Sequence, residues 1–130
     1  MDLKNMNLTI ITGMFNSDIK DYANDKFKNK VRIEYPEKIG HPSIACENFL
    51  LSLKVKYKRK CDEIVLLTQS SDILNFIGYL ISVGKLDNSK INGYILELDK
   101  NFTYDNLGCL NGFPYGYLNA NFDKIIDEYL

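Results

Sequence analysis

Apolar positions along this chain fall into short continuous runs that alternate with stripes at helical spacing. The run LTIITGMF, residues 8–15, is apolar and β-branched up to Gly13 and predicts a buried strand. In residues 16–30, Ile19, Tyr22, Ala23 and Phe27 share one helical face, with Ser17 or Asp18 placed to cap it. VRIEY, residues 31–35, predicts a second strand that Pro36 stops. Ser43 follows Pro42 and is expected to cap a helix over residues 44–60, with Ala45, Cys46, Phe49, Leu50 and Leu53 as its apolar stripe. The basic tail of that segment suits a helix C-terminus.

EIVLLT, residues 63–68, predicts a third buried strand. Ser70 or Ser71 caps the helix that follows, and Gly84 is placed to end it. INGYILEL, residues 91–98, predicts a fourth strand. Residues 100–120 read as a polar and aromatic connection, and residues 121–130 as a short closing helix. Strand and helix thus alternate, and continuous apolar strands imply a parallel sheet covered on both faces. The expected fold is a single three-layer α/β domain over residues 1–130, with a four-stranded, mainly parallel sheet.

Composition narrows the function. The 130 residues suffice for one domain, and 45% are hydrophobic, enough for a packed core. Sixteen basic residues against 17 acidic ones leave a net charge of -1, which provides no global field for nucleic acid or an anionic membrane. The N-terminal residues lack the pattern of a signal peptide, and no apolar run is long enough to span a bilayer. Cys46, Cys61 and Cys109 match no zinc spacing. An odd count without a secretion signal leads us to expect reduced thiols in a cytoplasm.

One stretch carries more chemistry than the rest. VRIEYPEKIGHPS, residues 31–43, sets an apolar strand ending in Glu34 before a Pro-Glu pair, then His41-Pro42 at a helix start. This resembles the Walker B region of the ABC-type ATPases related to RecF and the OLD nucleases, and in particular the DUF3696 group of AAA-type ATPases. EIVLLTQSSDILNFI is similar to that family's strand and switch segment, ISVGKLDNSKINGYILEL to its next stretch, and GFPYGYLNANFDKIIDEYL to its closing segment. The likeness is collinear over residues 31–130. It implies a truncated P-loop NTPase-like core with strands in the order 91–98, 8–13, 63–68 and 31–35. Its crevice would lie at their C-terminal ends, near Gly13, Glu34 and Thr68.

The same resemblance places ITGMFNSDIK where the family has its phosphate loop, and there the chemistry is missing. Counting from Gly13, Asp18 stands at the second glycine, Ile19 at the lysine and Lys20 at the hydroxyl residue. Asp18 would face phosphate as a like charge. Lys20 comes one residue late and would point about 100° away around a helix. Glu34 matches the magnesium-holding acid, but Tyr35 stands at the catalytic glutamate, and a phenol of pKa about 10 is a poor base at neutral pH. Gln69 replaces the switch histidine. The interval between loop and Walker B strand has no room for the family's signature subdomain.

Positioned charge supplies nearly all of phosphoryl-transfer catalysis, so these losses together argue against it. The resemblance therefore implies a vestigial nucleotide site at Gly13, Asn16, Ser17, Glu34, Tyr35 and Gln69, with no catalytic residue and no resident metal or cofactor. The expected role is a pseudo-ATPase acting by protein binding or self-association, as in a bacterial or phage conflict system. Two alternatives stay open: a nucleotide sensor without hydrolysis, using the loop from Gly13 to Asn16, and a small magnesium-dependent enzyme using Glu34 and Glu37. KVKYKRK, residues 54–60, reads either as a nucleic-acid contact or as a solvated helix end. GFPYGY, residues 112–117, reads either as a docking surface or as cover for a sheet edge. No membrane partner is expected.

Overall fold

The computed structural model describes residues 3–34, 42–57 and 63–114. Tyr35, Glu37, His41, Cys61 and the expected closing helix over 121–130 lie outside the described residues. The chain forms strands β1 (Asn7–Thr12), β2 (Val31–Glu34), β3 (Glu63–Leu67), β4 (Ile91–Ile95), β5 (Lys100–Tyr104) and β6 (Leu110–Asn111). Between them run helices α1 (Asn16–Lys26), α2 (Pro42–Tyr57) and α3 (Ser71–Ser82).

The sheet order is β2-β3-β1-β4-β5-β6. β1 pairs in parallel with both β3 and β4, and β2 pairs in parallel with β3. This is the order expected for the four parallel strands, read from the opposite edge. The expectation of four strands is corrected to six, because part of the expected connection adds β5 and β6 in antiparallel pairing. Within Lys100–Tyr104 only Phe102 and Tyr104 are buried, and this short period-2 alternation makes a half-covered strand from a polar-looking segment.

Side-chain alternation along β1 and β3 divides the core. Leu8, Ile10, Ile64 and Leu66 pack with Phe49 and Leu53 of α2 and with Ile73, Ile77 and Leu80 of α3. Ile11, Val65 and Leu67 point the other way, onto Ile19 and Ala23 of α1, with Tyr22 and Phe27 at the margin. The sheet is thus covered by α1 on one face and by α2 and α3 on the other. Each fully buried aliphatic side chain contributes about 1.5–3 kcal/mol, so this division fixes which way every strand end points.

The helix ends depart from expectation in two places. α1 is entered from Phe15 in extended conformation with no side-chain cap, so neither Ser17 nor Asp18 caps it; Asp18 sits in the first turn, where its charge complements the helix dipole. α2 begins at Pro42, which suits the first helical position, and Ser43 is therefore inside the helix. At α3 the Ser70 hydroxyl accepts the Ile73 N–H at 3.3 Å. Gly84, at φ 78°, ends α3: its N–H reaches the Ile81 carbonyl, and the Lys85 N–H reaches that of Leu80. That 5→2 and 6→1 pair needs a left-handed residue, which glycine adopts without strain.

Candidate functional site: the loop after β1

The C-terminal ends of β1, β3 and β4 lie side by side, and the segments leaving them are tied together. The Thr68 N–H donates to the Ile11 carbonyl, and the Leu96 N–H to that of Thr12. Gly13 is buried at the end of β1, and Met14 and Phe15 beyond it are half-exposed or more.

Gln69 leaves β3 and turns its amide onto that loop. Its Nε2 donates to the Gly13 carbonyl at 3.2 Å and to the Met14 carbonyl at 2.7 Å. Two donors on one nitrogen let a single side chain hold two successive carbonyls. From the other side, Glu97 Oε1 accepts the Met14 N–H at 2.8 Å. A Cβ at Gly13 would come within 2.8 Å of both Glu97 carboxylate oxygens, so the carboxylate rests on bare glycine backbone. The Met14 N–H is thus already bonded to an internal anion.

The remaining expected site residues are placed as follows. Asn16 and Ser17 occupy the exposed first turn of α1. Glu34 is the exposed last residue of β2, and its carboxylate stands 3.8 Å from the Lys20 ammonium. That pair is nearly half exposed on both sides, which limits it to about 0–1 kcal/mol. It also settles the course of Lys20, which reaches the β2 end. The structure therefore brings Gly13 and Gln69 together, directs Glu34 to Lys20, and leaves Asn16 and Ser17 on the surface. Tyr35 lies outside the described residues.

Glu97 is the site residue that reasoning from sequence missed. The available signal was an acid at the end of a strand next to β1 in the expected order. The fourth strand was expected to run to residue 98, which hid it. β4 stops at Ile95, and a turn closed by the Asp99 N–H on the Leu96 carbonyl, with Asp99 at φ 46°, carries Glu97 to the loop.

Two buried hydroxyls lie at the same strand ends. Thr68 Oγ1 accepts the Ser70 N–H at 3.0 Å. Thr12 Oγ1 is buried without a hydrogen-bond partner among the described residues. Among the described residues no group of three His, Cys, Asp or Glu is arranged to hold a metal ion, and no helix is long and apolar enough to cross a membrane. Cys46 and Cys109 are free thiols; burial and then the Asp72 charge push the Cys46 thiol up, away from its reactive form. Comparison with protein-family models, with curated proteins and with solved structures finds no match to this chain.

Proposed function

We propose that this chain is a catalytically inactive, ATPase-like module that acts by binding protein. The observation that carries the reading is the Met14 N–H held by the Glu97 carboxylate while Gln69 clamps the adjoining carbonyls. A phosphate group placed there would have to displace an anion of its own sign. Lys20, one residue past the expected lysine position, stands beside Glu34 instead. The surface supports binding of protein instead: Ile44, Leu51, Val55, Tyr79 and Val83 are all about half exposed.

A second reading, a nucleotide sensor without hydrolysis, is favoured by one observation. The Thr12 hydroxyl, without a hydrogen-bond partner among the described residues, lies next to Gly13 at the end of β1. This reading requires Glu97 to swing off the loop.

The experiment is a phosphate-release assay with ATP and with GTP in the presence of magnesium, on the wild type and on Glu34→Gln. The proposal expects no release above buffer from either protein. Release by the wild type that is lost in Glu34→Gln would overturn it in favour of a magnesium-dependent enzyme.

A further inference from the structure

We infer that α2 is a self-association surface, with the partner being an antiparallel α2 from a second copy of this chain. The inference rests on the protein-binding reading and names the partner. α2 is apolar on two opposite sides. Phe49 and Leu53 are buried in the core, while Ile44, Leu51 and Val55 are 50%, 54% and 53% exposed. On the α-helical period the last three, with Asn48, fall within about 60° of arc, opposite Phe49 and Leu53. Their spacing of four, three and four residues is that of a coiled-coil seam, with Ile44 and Leu51 at d and Asn48 and Val55 at a.

An antiparallel pair about a two-fold axis sets Ile44 against Val55 of the other copy and Asn48 against Leu51. The flanks then decide the occupant. On one flank, the positions that face each other across the axis are Glu47 and Lys54, both exposed. Each glutamate meets the lysine of the other copy, twice by symmetry. Within one helix they are seven residues apart, too far to pair, and among the described residues neither has an ion-pair partner. On the other flank stand Ala45 and Ser52, small enough for the helices to approach closely. Asn48, the polar member of the seam, fixes register at a cost in stability. Beyond Lys54 the surface continues onto α3, where Tyr79 and Val83 line a cleft of about 360 Å³ with Leu50 and Lys54. A parallel pair would lose the reciprocal charge match, so the self-complementary charge order favours the antiparallel two-fold.

The test is sedimentation equilibrium of the full chain at low salt, from about 1 μM to about 500 μM, a range suited to a small interface. The variants are Leu51→Glu, Glu47→Lys, Lys54→Glu and the double variant Glu47→Lys/Lys54→Glu, with circular dichroism melts confirming that each folds. The wild type is expected to dimerise and Leu51→Glu to remain monomeric. Each single charge reversal is expected to weaken the dimer by roughly tenfold. The double variant, which rebuilds the pair with its signs exchanged, is expected to recover it. A wild type that stays monomeric throughout overturns the inference and assigns the surface to a different protein, leaving the inactive-module reading to the phosphate-release assay. A dimer indifferent to Leu51→Glu, or one that the double variant fails to restore, also overturns it.

Discussion

Removing Glu97 tests whether an internal carboxylate is what closes the loop after β1. In the wild type, Oε1 lies 2.8 Å from the Met14 nitrogen, and both carboxylate oxygens cover Gly13. The site is exposed, so water replaces the lost acceptor, and Glu97→Ala should cost only about 0.5–1.5 kcal/mol. In a chain of this size that lowers the melting temperature by about 2–6 °C. The gain appears in anion binding. A unit charge about 4 Å from another contributes about 1 kcal/mol in a water-like medium. Tripolyphosphate with two charges near the loop should therefore bind Glu97→Ala about 2 kcal/mol, or roughly 30-fold, better than the wild type. Glu97→Gln removes the charge but keeps the bulk, and should gain less. Isothermal titration calorimetry at low ionic strength, where such charges are least screened, reads both effects. Equal affinities in wild type and Glu97→Ala, within about twofold, would refute the idea that Glu97 bars the loop.

Three further outcomes follow from the same structure. An added Cβ on Gly78 of α3 would overlap the carbonyl oxygen of Gly108. Gly78→Ala should therefore lose about 2–4 kcal/mol in urea unfolding despite the better helix propensity of alanine, and an unchanged midpoint would count against the docking of the β5–β6 hairpin on α3. Thr12→Val deletes a buried hydroxyl that has no partner among the described residues and should gain about 1 kcal/mol in the same assay; a loss of that size would mean the hydroxyl is bonded. The hydrogen bond from Tyr94 to Asp99, with burial and the Asp99 charge behind it, pushes the Tyr94 phenol up to about 12. Because that lies above the unfolded value of about 10, the stabilisation is whole below about pH 10 and is lost as pH rises toward the folded value. In ultraviolet difference titration, Tyr94→Phe should remove a late-titrating phenol, and loss of one that titrates near pH 10 would contradict the assignment.

The parts of this fold that could be read in advance are those where one physical signal dominates. IITG and IVLLT are too continuously apolar to be anything but strands buried on both faces, and both lie in the middle of the sheet. Ser70 and Gly84 bracket α3 because a cap oxygen and a left-handed glycine have few substitutes. β5 escaped because Lys100, Asn101 and Thr103 face solvent and leave only Phe102 and Tyr104 to carry the pattern. The α1 entry escaped because nothing caps it by side chain, so the cap preference favouring Ser17 had no purchase. At the site, Gly13 and Gln69 were legible as neighbours through strand order. Their relation to Glu97 was not, because it depends on a turn at residues 96–99 whose left-handed residue is Asp99 instead of glycine.

The most direct measurement is the melting temperature of the wild-type chain with and without millimolar ATP and magnesium. A nucleotide at 100 times its dissociation constant would add about 2.7 kcal/mol, a rise of several degrees. With the Met14 N–H held by Glu97 and the loop carbonyls held by Gln69, the account predicts no change in melting temperature with ATP, ADP or GTP. A rise of several degrees with any of them would contradict it and identify the loop as a working nucleotide site.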